Sequence, residues 1–215
     1  MSKYKYVIWD WNGTLLNDVE LCRSIINKIL IINGLPELSH NQYKNIFTFP
    51  VKDYYSAAGL DFNKTSFEIL GKIFIDEYEE RKYECSLFDG AKEVLAAIKE
   101  KGIKQSVLSA YKHDNLINIL NNYGLTDYYE HIIGLDNIYA GGKSELGLKL
   151  REKISLKGEE ILFVGDTLHD AEVANQMNVD CVLLSAGHQT MEKLKVNGAT
   201  VLDDLKALKK IIFDD

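Results

Sequence analysis

Three kinds of feature are scarce in this 215-residue chain, and each scarcity excludes something. The three cysteines, Cys22, Cys85 and Cys181, are odd in number, far apart and without a C-x-x-C pair. No disulfide framework is expected from them, and they read as small, partly buried side chains in a reducing compartment. No apolar stretch reaches the ~18 residues that a membrane span needs. Lys3 and Lys5 lead straight into a strand-like run that ends in acid, unlike the start of a signal peptide. Positive charge is also in short supply, with 25 Lys and Arg against 32 Asp and Glu. The resulting net charge of −7 argues against nucleic acid or an anionic membrane as partner. What remains is a globular protein expected in the cytoplasm, and its 46% hydrophobic and 27% charged residues are ordinary for that class.

The length holds one large domain, or a core with a smaller inserted unit. Tyr4 to Trp9 is a β-rich run that ends in the polar turn Asp10-Trp11-Asn12-Gly13-Thr14. The next seventy residues have a different pattern. Val19, Cys22, Ile26, Ile29 and Leu30 recur at helical spacing before Gly34, and Ser39-x-x-Gln42 and Thr65-x-x-Glu68 are capping-box signatures. Phe49-Pro50 breaks the chain ahead of a short helix over 52–58. Helices therefore fill 16–85. Beyond Asp89-Gly90, helices and strands alternate: helix to Gly102, strand 103–108, helix 113–123, strand 131–134, helix 144–153, strand 161–164, helix 170–177 and strand 181–184. Two further helices follow, near Thr190 and Leu205. Alternation of this kind predicts a mostly parallel sheet with helices on both faces, whose ligands sit beyond the carboxyl ends of the strands. Asp10, Ser109 and Asp166 all fall at such ends.

Four separated pieces then read as one phosphate-handling site. Asp10 is a carboxylate on a strand end, able to attack phosphorus and carry an aspartyl-phosphate, while Gly13 lets the backbone turn. Asp166 and Asp170 stand four apart across a helix start in Gly165-Asp166-Thr167-Leu168-His169-Asp170. With Asp10 they form a set of oxygen donors that suits Mg²⁺, because close carboxylates repel unless a hard cation lies between them. Ser109 offers a hydroxyl to a phosphoryl oxygen. Lys143, after Gly141-Gly142, offers a point charge to phosphate and to Asp10.

These motifs resemble those of the haloacid dehalogenase (HAD) superfamily phosphatases over nearly the whole chain, in the layout of the phosphoglycolate phosphatase-like branch. The resemblance implies an α/β, Rossmann-like parallel sheet with an inserted all-helical cap: core at 1–15 and 86–215, cap at 16–85. It implies Asp10 as nucleophile, Mg²⁺ held by Asp10, the Asn12 carbonyl and Asp166, and Asp170 supporting that metal shell. Thr14, Ser109, Ala110 and Lys143 would position the phosphoryl group of a small phosphorylated metabolite. Lys52, beside the Phe49-Pro50 turn, would meet an anionic part of the substrate. The oligomeric state is left open.

Asn12 departs from the family pattern, since it occupies the position where those phosphatases carry their general acid/base aspartate. General acid–base help is worth ~10²–10⁴-fold, so its loss raises the barrier by roughly 3–5 kcal/mol. The sequence accordingly leaves room for a slow phosphatase, with His169 as the nearest alternative proton donor in sequence. It also leaves a phosphonate-cleaving relative, whose Schiff-base lysine would be Lys52, and a silenced protein that binds a phosphorylated ligand without turnover.

Overall fold

A computed structural model describes residues 2–136 and 142–213 of the chain. The centre of the molecule is β1 (Tyr6–Trp9), buried along its whole length. A strand covered on both faces reads as a continuous apolar run, and its side chains alternate between the two faces. Val7 and Trp9 pack in one cluster with the helices α5 (Ala91–Glu100), α6 (His113–Tyr123) and α10 (Leu205–Phe213). Tyr6 and Ile8 pack on the other side, with α7 (Lys143–Lys153) and α8 (Leu168–Gln176).

β4 (Lys104–Lys112) and β6 (Ile161–Gly165) flank β1, with Trp9 paired in register to both Val107 and Val164. β5 (His131–Leu135) lies outside β4; β7 (Asp180–Leu184) and then β8 (Thr200–Leu202) lie outside β6. The sheet has six strands in the order β5-β4-β1-β6-β7-β8, all pairs parallel. The chain builds outward from β1 on one side and then returns to build on the other. The order therefore reverses between β1 and β6, where a crevice opens at the carboxyl ends.

After β1 the chain leaves through β2 (Leu16–Asn17) and returns through β3 (Ser86–Leu87), which pair antiparallel. Between them lie α1 (Val19–Ile32), α2 (His40–Ile46), α3 (Val51–Ala57) and α4 (Phe67–Arg81). These helices share their own apolar cluster, built on Ile25, Ile26, Leu30, Tyr43, Tyr54 and Leu70. The five apolar positions expected to face inward on α1 are all buried. A short helix, α9 (Met191–Leu194), connects β7 to β8. No helix among the described residues is long and apolar enough to cross a membrane.

Local expectations met two corrections. The Ser39 capping box forms as its spacing predicts, whereas α4 is capped by Ser66 rather than Thr65. Ser66 has the extended backbone that a cap needs and its Oγ accepts the Ile69 N–H, while the Thr65 N–H is used in a turn on Asp61. The strand expected to stop at Leu108 runs on to Lys112, with an irregular register after Leu108, so Ser109 lies within β4.

Candidate active site

Asp10, the first residue past β1, and Asp166, the first past β6, face one another across the crevice. The Thr14 hydroxyl spans them, 3.1 Å from Asp10 Oδ2 and 3.2 Å from Asp166 Oδ1. Lys143, the first residue of α7, reaches in from the opposite side, its Nζ 2.5 Å from both Asp10 Oδ1 and Asp170 Oδ1. Of the Gly141-Gly142 pair expected to precede it, Gly141 lies outside the described residues. The second Asp170 oxygen accepts from the Thr167 hydroxyl at 2.7 Å and the Thr167 N–H at 3.0 Å, so this carboxylate fixes both the lysine and the start of α8. Asp166 Oδ2 accepts the His188 N–H at 2.6 Å.

Burial and proximity set the electrostatics. Carboxylate oxygens of Asp10, Asp166 and Asp170 all lie within 4.8 Å of one another, and all three residues are buried. Lys143 stands against Asp10 and Asp170, and the His188 imidazole acts on Asp166 while paired with Asp18, so negative charge is in excess. Burial pushes the Asp166 carboxyl up to about 8 and that of Asp10 up to about 6, the latter against the opposing pull of Lys143. Burial acts on Asp170 in the same direction, but the Lys143 charge and the Lys143 and Thr167 hydrogen bonds outweigh it and hold its carboxyl below the usual range. A cluster of hard oxygen donors with excess negative charge suits a divalent cation such as Mg²⁺, so the residues present fit that ion.

Two glycines press the backbone against Asp166. Gly13 has φ +72°, and a Cβ there would stand 2.3 Å from Asp166 Oδ2. A Cβ on Gly187 would meet the same oxygen at 2.3 Å and the Gly13 carbonyl at 2.4 Å. Gly187→Ala is therefore expected to displace Asp166 and weaken Mg²⁺ binding at least about tenfold, a shift of ~1.4 kcal/mol. Calorimetric titration with Mg²⁺ reads this; unchanged affinity would show that the loop yields without moving the carboxylate.

Asn12 sits beside this cluster in a hydrogen-bonded group of its own. Its Nδ2 donates to Asp18 Oδ2 at 2.7 Å and lies 2.6 Å from the Tyr78 hydroxyl, which itself donates to Asp18 at 2.8 Å. The Gly13 N–H donates to Asp18 Oδ1 at 2.9 Å, and His188 Nε2 stands 3.3 Å from that oxygen. The Tyr43 hydroxyl reaches His188 Nδ1 at 2.8 Å. Burial opposes charge on both Asp18 and His188, yet each outweighs that penalty through the other: the Asp18 carboxyl is held low and the His188 imidazole is raised. Asp18, Tyr78, His188 and Tyr43 were not singled out in the sequence. The available signals were an acid opening α1 and the loop Ser185-Ala186-Gly187-His188-Gln189, which follows another strand end.

The other expected residues divide. Ser109 is buried, accepts the Tyr111 N–H at 3.1 Å, and with Ala110 lines the cavity next to Asp10. His169 also lines it, its ring 5.0 Å from that of Phe49. Lys52 is not brought there. It is exposed on α3 with its Nζ 5.5 Å from the Phe62 ring, because the buried face of that helix is taken by Tyr54 and Tyr55. A Schiff-base or anion-binding role for Lys52 has no support in this arrangement.

The family model described as haloacid dehalogenase-like hydrolase matches residues 7–184, spanning Asp10 through the carboxyl end of β7. The chain belongs to this hydrolase family. A phosphoglycolate phosphatase of Rhodobacter capsulatus is 21% identical, with 96% of this chain and 95% of that one aligned. An N-acetylmuramic acid 6-phosphate phosphatase of Pseudomonas aeruginosa is 25% identical over 79% of this chain and 76% of its own. Among solved structures, a haloacid dehalogenase-like hydrolase from Streptococcus pneumoniae superimposes with TM-score 0.80 at 16% identity, covering 97% of this chain and 98% of that one. A predicted phosphatase from Clostridium acetobutylicum gives 0.80 at 20% identity, covering 96% and 97%. At such identities the structural likeness speaks for the shared fold alone.

Proposed function

We propose that this hydrolase is a Mg²⁺-dependent phosphatase of small phosphorylated metabolites, working through an aspartyl-phosphate on Asp10, with residues 16–85 as a cap over the site. The observation that carries the reading is the junction at the sheet's reversal point: the Asp10 carboxylate is buried, bound by Lys143 and linked through Thr14 to Asp166. The phosphatase names of the relatives support it. The Asp10 carboxylate attacks phosphorus, forming an O–P bond as the ester P–O bond breaks and the alkoxide or acylate departs. Water then attacks the same phosphorus, releasing orthophosphate and the free carboxylate. Lys143 and the Ser109 hydroxyl would bind phosphoryl oxygens, and Thr14 would orient the nucleophile. Mg²⁺ held by Asp10, the Asn12 carbonyl and Asp166, with Asp170 in support, would supply positive charge to the transferring group.

Asn12 has no proton of suitable acidity to give to a departing alkoxide. Turnover should therefore be slow for alkyl phosphates and faster for leaving groups that need little protonation, such as those of acyl phosphates. We assign the protein to the cytoplasm, a reading supported by three unpaired cysteines in the fold.

Hydrolysis of acetyl phosphate tests the reading. Protein stripped of metal with EDTA is expected to be inactive, and added Mg²⁺ to restore release of orthophosphate. Binding of Mg²⁺ and orthophosphate with no turnover of any phosphate would instead identify a silenced binding protein.

A further inference from the structure

The cavity that holds the phosphoryl site extends under the helices, and its whole volume, the phosphoryl end included, is about 170 Å³. Its far wall is built from half-buried apolar and aromatic side chains, among them Phe47, Phe49, Phe67, Phe74 and Ile75, with Tyr111 at the sheet side. Among the described residues of 16–85 that line it, the charged ones are Asp18 and Glu79, both acids. Glu79 is already committed to Lys82 at 2.6 Å and to the Tyr111 hydroxyl. The helical side of this wall offers a substrate hydrocarbon contact and no positive charge; Lys112, at the end of β4, also lines the cavity, but a small carboxylate seated among the aromatic side chains of the helices would lose its hydration without gaining a cation there.

Gly71 gives a second, independent sign. It lies in the middle of α4 and lines the same cavity. Glycine costs an interior helix position stability and is usually kept for a left-handed backbone or for close packing. Neither applies here: Gly71 is not among the positive-φ glycines, and a Cβ built on it meets nothing within 4 Å. The lack of a side chain at this lining position leaves open the space that one would occupy.

We infer that the substrate is a phosphate monoester whose organic part is an uncharged, ring-sized apolar group seated among these aromatic residues, rather than a short carboxylic acid such as that of phosphoglycolate. The inference rests on the phosphatase reading for the phosphoryl end, and on the wall and Gly71 for the rest. An apolar group that fills an apolar pocket gains by burial, whereas a carboxylate placed among these side chains leaves its charge unpaired.

The test uses the full chain with Mg²⁺ and compares 2-phenylethyl phosphate, ethyl phosphate and phosphoglycolate, with acetyl phosphate as the small reference substrate. The first two release similar alkoxides, so the difference between them reports binding of the ring. The value of kcat/KM for 2-phenylethyl phosphate is expected to exceed that for phosphoglycolate by about 100-fold. Gly71→Leu, which favours the helix and fills the gap, is expected to cut that value at least about tenfold and to lower acetyl phosphate hydrolysis far less. Equal or better use of phosphoglycolate would overturn the inference, as would an equal effect of Gly71→Leu on acetyl phosphate. If no phosphate is turned over, the phosphatase reading falls, and calorimetry with 2-phenylethylphosphonate against phosphonoacetate still decides the cavity's preference. Tighter binding of the phenyl compound, lost in Gly71→Leu, supports the inference; tighter phosphonoacetate refutes it.

Discussion

Asp10→Asn is expected to lower kcat for acetyl phosphate by ~10⁴-fold or more while leaving the protein as stable as the parent, or more so. The amide is nearly the same size as the carboxylate and still offers an oxygen to Lys143. It is a far weaker nucleophile, and a covalent phosphoryl-enzyme cannot form on it as it does on a carboxylate. Stability follows from the charge balance. Asp10, Asp166 and Asp170 crowd together, Lys143 is bound to Asp10 and Asp170 alone, and burial already pushes the Asp10 carboxyl up to about 6. Removing one negative charge relieves that repulsion, and Lys143 keeps Asp170 at 2.5 Å. Sites arranged for chemistry are commonly strained in this way, so loss of function can accompany gain of stability. The pairing of single-turnover kinetics with a urea unfolding midpoint separates the outcomes. A variant that loses activity and unfolds at lower urea would mean that Asp10 serves the fold rather than the reaction.

The parallel sheet, the helical segment after the first strand and the acidic cluster were legible in the sequence because each has a repeating or punctuated pattern. The run Tyr6–Trp9 could be read as a buried strand, and the Asp10 turn after it as a strand end, without knowledge of its neighbours. The brief strands β2, β3 and β8 are two or three residues long, too short for any period to show. Ser66 won over Thr65 as a cap through the conformation of the preceding turn, which capping-box spacing does not encode. Lys52 was singled out from its place beside Phe49-Pro50, but α3 rotates it to the exposed side. The partners of Asn12 were the least legible part: Asp18, Tyr78 and His188 come from three distant segments, and only the packing of α1 and α4 against the loop after β7 brings them together. The resemblance implies an acid where Asn12 stands. It does not show that a buried acid stands next to it.

That neighbour changes what an acid placed at position 12 should do. Asn12→Asp alone places a carboxylate where an amide now donates to Asp18 Oδ2 at 2.7 Å and contacts the Tyr78 hydroxyl at 2.6 Å. Two carboxylates that close repel, and the His188 imidazole is already paired with Asp18, so one of them is expected to hold a proton shared between them. The single change is expected to destabilise the fold by about 3 kcal/mol and to give little gain in turnover, because the new acid is trapped against Asp18. Asp18→Asn alone should also destabilise, since His188, Tyr78 and the Gly13 N–H lose the charge they now surround. Combining the two exchanges the roles: an amide at 18 donates to a carboxylate at 12. The pair is expected to recover about 2 kcal/mol relative to the sum of the singles and to raise alkyl phosphate turnover by about tenfold or more over the parent. A double-mutant cycle on urea midpoints, with kcat measured for each of the four proteins on ethyl phosphate, reads both quantities. Additive midpoints would show that Asp18 and the residue at 12 act independently. A tenfold gain from Asn12→Asp by itself, with stability intact, would show that the neighbouring acid places no constraint on the proton-transfer position.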